Sequence, residues 1–146
     1  MDERRPMSND EDAIRELVST WQHATAAGDL SRLLSLMAED VVFLTAGQPP
    51  MRGRDAFAAG FQALIRHHRI DATSEIQEVL VAGNWAYCWN RLAVTVTPLE
   101  AGPQARRAGD ALTILRKNPD ATWVIFRDAN MLAVAPPQEG SVAAGR

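Results

Sequence analysis

The second half of the chain reads as long strands joined by short turns, while helical patterns are confined to the first half. Residues 70–81 alternate loosely, Gly83-Asn84 marks a turn, and residues 85–97 alternate strongly. Residues 98–109 form a turn-rich connection, 110–117 a strand, 118–121 a turn, and 122–134 a final strand. Strands that follow one another through short links pair antiparallel. Ahead of them, Ser8 with Glu11 offers a capping box, and Ile14, Leu17, Val18, Trp21 and Thr25 follow at helical spacing. Gly28 suits a left-handed residue at that helix's end, and Asp29 or Ser31 can cap a short second helix carrying Leu30, Leu33, Leu34 and Met37. Residues 41–45 read as a strand that Gly47-Gln-Pro-Pro50 breaks. A third helix, with Asp55 as N-cap, carries Phe57, Phe61, Leu64 and Ile65. The expected architecture is α+β: three N-terminal helices packed on one face of a strongly curved, mostly antiparallel sheet, with a concave space between. One domain spans residues 10–135, between a disordered N-terminus over 1–9 and a flexible tail over 136–146.

Composition narrows the function. The chain has 146 residues, a hydrophobic fraction of 47% and a net charge of −3, in the range of soluble globular domains. No basic stripe stands out, so nucleic acid is not an expected partner; Arg106-Arg107 beside Gly102 and Pro103 reads as a solvated hairpin tip. No segment is long and apolar enough to span a bilayer and no leader is evident, so no membrane association and a cytoplasmic location are expected. Cys88 cannot form an internal disulfide and reads as a buried, inert thiol. His23, His67 and His68 have no metal-ligating spacing, and no phosphate-binding glycine loop, nucleotide fingerprint or nucleophile elbow occurs; neither metal nor cofactor is expected.

The final strand carries the chemical signal. Period-two alternation groups Phe126, Asp128 and Asn130 on one face and Trp123, Ile125 and Arg127 on the other. A carboxylate and an amide inside an otherwise apolar strand are costly to bury without partners, which points to a pocket wall.

Ala27-Gly-Asp29, Glu39-Asp-Val-Val-Phe-Leu-Thr45, Pro49-Pro-Met-Arg-Gly-Arg54 and Trp123-Val-Ile-Phe-Arg-Asp-Ala-Asn130 together resemble the nuclear-transport-factor-2-like superfamily. More narrowly, they resemble its small bacterial SnoaL-like proteins and ketosteroid-isomerase homologues. The resemblance covers residues 10–135. It implies a cone-shaped, cystatin-like fold with a deep pocket, a small apolar ligand, and a homodimer packed through the sheet. The superfamily hosts isomerases, cyclases, dehydratases, hydrolases and non-catalytic modules, so the fold does not settle the function. Aligned with ketosteroid isomerase, the positions of its catalytic tyrosine, base and protonated aspartate fall on Trp21, Thr45 and Thr113. An indole and two threonines cannot run that mechanism.

The same alignment nominates Phe43 and Thr45, Phe57 or Phe61, and Tyr87, Trp89 and Arg91 as pocket residues beside Phe126, Asp128 and Asn130. The opposite face of the 85–97 strand, with Cys88, Asn90, Leu92, Val94 and Val96, then reads as a dimer or core face. Arg91 and Asp128 form either a ligand-anchoring pair, with Asp128 as general base, or a structural salt bridge. A salt bridge would lower the pKa of Asp128 and make it a weak base. Three functions remain open: a cofactor-independent acid–base enzyme or binding protein for a carbonyl compound, a non-catalytic dimerisation module, and an oxidoreductase of a natural-product pathway. The last rests only on a label that some relatives carry.

Overall fold

A computed structural model describes residues 9–136. The elements are α1 (Asn9–Ala27), α2 (Leu30–Ser35), β1 (Met37–Thr45), β2 (Met51–Arg52), α3 (Gly53–Ile65), β3 (His68–Ala82), β4 (Trp85–Pro98), β5 (Ala105–Lys117), β6 (Trp123–Asn130) and β7 (Ala133–Val134). The cap expected at Ser8 and nearly all of the two terminal segments lie outside the described residues; Asn9, expected to be disordered, already belongs to α1.

Asp10, Glu11 and Asp12 place negative charge on the first turn of α1, where the helix dipole favours it. Gly28 ends the helix at φ +68°, the left-handed conformation that glycine adopts without a Cβ penalty. Asp29 then caps α2 by accepting from the Arg32 backbone N–H at 3.1 Å. Several boundaries differ from expectation: β3 begins at His68 instead of residue 70, β5 at Ala105 instead of 110, and the strand expected over 122–134 is divided into β6 and β7. Met37 starts β1 instead of ending α2, because the Ile125 N–H reaches back to the Leu36 carbonyl at 2.9 Å and draws the chain into the sheet. Asp55 is not the N-cap of α3: extended Arg52 holds that position, and Asp55 lies inside the first turn.

The sheet runs in the order β2-β1-β6-β5-β4-β3, with β7 added to β5. Neighbours are antiparallel except β1 and β6, which are parallel. The helices cover one face and bury Ile14, Leu33, Met37, Val41, Cys88 and Leu115 completely. Arg54 ties α3 to this face by donating from Nε and Nη2 to the Met37 carbonyl at 3.1 and 2.7 Å.

The sheet shifts register between β1 and β6 and between β3 and β4, and two further irregularities lie along β5. Leu115 pairs with Ile125 but Ile114 with Arg127, so Phe126 is an extra residue in β6: a β-bulge. Farther along, Gly109 (φ +154°) lets the chain after β6 cross close to β5, and a Cβ built there would stand 2.7 Å from the Met131 carbonyl oxygen. Gly109→Ala is therefore expected to destabilise the fold by roughly 2 to 4 kcal/mol through strain and overpacking. Chemical denaturation would show this as a lower unfolding midpoint; an unchanged midpoint would contradict the close approach.

Candidate functional site

Between α1 and the concave face of the sheet lies a cavity of about 140 Å³. Leu17, Val18, Trp21, Gln22 and Thr25 of α1 form one side. Phe43 of β1, Ile70 and Ser74 of β3, Cys88, Asn90, Leu92 and Val94 of β4, Thr113 and Leu115 of β5, and Ile125 and Asp128 of β6 form much of the rest. Most of this lining is apolar, and it contains no lysine, arginine or histidine.

The bulge brings Asp128 inward. Trp123 and Ile125 face the core, and unbroken alternation would send Arg127 inward and Asp128 outward. The extra residue reverses the order beyond Ile125, so Phe126 and Arg127 lie on the outer face with the guanidinium carbon 3.7 Å from the ring centroid. Asp128 sits opposite Thr113, whose hydroxyl donates to Oδ1 at 2.6 Å. Desolvation by burial pushes the Asp128 carboxyl above the ordinary carboxylate range, and the Thr113 hydrogen bond opposes that shift only in part.

A second polar pair lies on the same wall. Asn90, 8% exposed, accepts a hydrogen bond from Ser74 Oγ at 2.9 Å. Gln22 Nε2 donates to the Ala72 carbonyl at 3.2 Å. Cys88 is fully buried, and desolvation raises its thiol pKa to about 11, so it stays protonated and unreactive at neutral pH.

Several sequence-predicted positions lie elsewhere. Trp21 and Phe43 line the cavity, as do Thr113 and Asp128. Phe61 does not: it is buried behind Phe57, their rings 5.7 Å apart, in a stack that continues to Phe43 and Trp21. Tyr87, Trp89 and Arg91 are on the outer face, because Cys88 pairs with Thr113 and residues paired across strands share a face. There Tyr87 Oη donates to Glu78 at 2.8 Å and Trp89 Nε1 donates to Asp110 at 2.8 Å. Arg91 pairs with Asp110 at 3.5 Å, an exposed contact, so the expected Arg91–Asp128 ion pair does not form. Phe126 is also outside, edge-on to Trp85 at 5.1 Å. Thr45 and Asn130 lie together at the ends of β1 and β6, 3.5 Å apart and beyond the cavity lining. The face of Cys88, Asn90, Leu92 and Val94, expected to form a dimer or core face, is the core side: Cys88 belongs to the core, Val94 packs against it, and all four line the cavity. Ser74, Asn90 and Gln22 were not singled out as site residues, although Asn90 carried the same signal as Asp128: a polar side chain on an apolar face.

Among the described residues, no group of three or more His, Cys, Asp or Glu side chains could hold a metal ion, and no helix is long and apolar enough to cross a membrane.

Residues 15–128 match the family model of the SnoaL-like domain. The chain is similar to a conserved protein from Planctomyces limnophilus DSM 3776 of known structure, with 35% identity over 87% of this chain and 98% of that one, and a TM-score of 0.83. A ketosteroid isomerase-like protein from Erwinia carotovora atroseptica SCRI1043 shares 21% identity over 90% and 100% of the two chains, with a TM-score of 0.76. An NTF2-like superfamily protein from Salmonella enterica serovar Typhimurium LT2 shares 16% identity over 90% and 96%, with a TM-score of 0.74. The last two likenesses show the fold, which is NTF2-like: helices on a curved, mostly antiparallel, unclosed sheet. No curated protein matches the chain.

The raised pKa of Asp128 carries a stability consequence. Between the unfolded value of 3.8 and the higher folded value, the folded state binds more protons, so this group makes stability fall as pH rises. Asp128→Asn removes the titration and keeps an acceptor for Thr113. Its melting temperature relative to wild type is expected to climb from pH 4 towards neutrality; a pH-independent difference would contradict the assignment.

Proposed function

We propose that this chain, which belongs to the SnoaL-like family, holds a small, neutral, mainly apolar carbonyl compound in its cavity, with Asp128 as hydrogen-bond anchor and proton-transfer group. The observation that carries this reading is a carboxyl on the wall of an apolar cavity, with no cationic side chain in the lining and one oxygen held by Thr113. A carboxyl so placed favours its neutral acid form, which donates to a carbonyl oxygen, and its pKa moves towards the range useful for proton exchange. The salt bridge that would have made Asp128 a weak base is absent, because Arg91 is engaged on the far side of the sheet. The lack of a cation also disfavours anionic ligands. Size sets a further limit: a dry cavity of roughly 150 Å³ holds one benzene ring, so about 140 Å³ suits a single ring.

The outer sheet face supports the homodimer reading. Leu80, Trp85, Trp89, Leu112 and Ile114 are each more than a third exposed and cluster across three strands. Large exposed apolar patches mark interaction sites. Charges of both signs border this one, Arg91 with Asp110 and Arg116 with Asp40, as a self-complementary two-fold interface needs. The same surface would serve a non-catalytic dimerisation module.

Two measurements test these readings. Cyclohexanone, followed by ligand-observed NMR, is expected to bind wild type about 5- to 10-fold more tightly than Asp128→Ala, the worth of one hydrogen bond; equal binding would remove Asp128 from the site. Leu112→Glu is expected to convert a dimer into a monomer by light scattering across dilution, since a desolvated, unpaired charge costs several kcal/mol. A monomeric wild type would end the dimer reading.

A further inference from the structure

The cavity has a second polar end that the role assigned to Asp128 leaves unused. Asn90 lies on β4, two strands away from Asp128 on β6. Its side-chain oxygen is occupied by Ser74 Oγ at 2.9 Å. Its amide NH2 has no acceptor among the described residues, although Asn90 is only 8% exposed and lines the cavity. Buried donors are paired in the great majority of native structures, so an unpaired one on a cavity wall calls for an acceptor on the occupant. With Ser74 Oγ donating to Oδ1, the two N–H groups of the amide are left for that occupant.

The sheet register sets the spacing. Asn90 pairs with Ala111, Thr113 is the next inward residue of β5, and Thr113 pairs with Asp128. The two polar residues thus stand two strand spacings apart across the sheet and two residues apart along it, roughly 12 Å between backbones, and their side chains shorten that gap as they reach inward over the curved sheet. A six-membered ring with oxygens at opposite ends spans the remainder. Trp21 and Leu17 on one side and Leu92 on the other supply apolar contact for the ring.

We propose that Asn90, oriented by Ser74, is a second binding pole opposite Asp128, and that the cavity takes neutral single-ring compounds with an oxygen acceptor at each end. This rests on the reading of Asp128 as the first pole. Asn90 acts on ligand choice, not on the proton.

Three probes separate the two claims: methylcyclohexane, cyclohexanone and cyclohexane-1,4-dione, with no acceptor, one, and two at opposite ends. The dione is expected to bind wild type about 5- to 10-fold more tightly than cyclohexanone, and Asn90→Leu to abolish that preference. In wild type, the Asn90 side-chain amide NMR resonances are expected to move with the dione and stay in place with cyclohexanone, a readout that survives if Asn90→Leu does not fold. A dione with no advantage, an advantage that persists in Asn90→Leu, or amide resonances unmoved at saturation would overturn the second pole and leave the first standing. Cyclohexanone binding no better than methylcyclohexane would overturn both.

Discussion

One extra residue in β6 sets which side chains face the cavity and which face outward. The core holds Trp123 and Ile125 on the concave face, and Phe126 is then inserted with no partner of its own on β5. Bulges re-aim the side chains that follow them. Here the effect is twofold. Asp128 turns into the cavity against Thr113, and Arg127 turns out to lie over Phe126, with its Nη1 donating to the Asp40 carbonyl at 2.9 Å. The same residues in unbroken alternation, without the bulge, would bury a guanidinium among apolar side chains and send the carboxyl to solvent.

The electrostatic character of the site follows from the same geometry. A carboxyl beside an arginine is held ionised; a carboxyl in an apolar cavity is pushed towards its neutral form. The chain contains both arrangements: the Arg116 hydrogen bond lowers the pKa of Asp40, and burial raises that of Asp128. Asp110 meets Arg91 on the exposed side, where solvent screens the pair, while Asp128 has only the Thr113 hydroxyl among the described residues. Asp128 is therefore the acidic group whose surroundings suit proton exchange, and Asp110 belongs to a charged border of the outer face.

Much of the architecture was legible in the residues because alternation, caps and turn chemistry agree. The apolar stripe of α1, the left-handed Gly28, the Asp29 cap and the Gly83-Asn84 turn all occupy their expected places. The site was only partly legible. Alternation on β4 separates Tyr87, Trp89 and Arg91 from Cys88, Asn90 and Leu92, but both sets contain apolar residues, and periodicity alone does not say which face is inside. That choice depends on the register with β5 and β6, and the register contains a bulge with no local signature such as a glycine. The cost of a polar group on an apolar strand pointed to a pocket wall at Asp128, and Asp128 does line the cavity. Asn90 was missed because its face was taken for a dimer or core surface.

Every role assigned to the cavity requires that Asp128 be a carboxyl confined among apolar side chains with no cation in the lining. Carbon-13 NMR titration of aspartate side chains, with Asp128 assigned by substitution, measures this directly. The expected titration midpoint for Asp128 lies above 3.8 and above that of Asp40, which the Arg116 hydrogen bond lowers. A midpoint at or below 3.8 would contradict it, because it would mean that the carboxyl is solvated or paired with a cation.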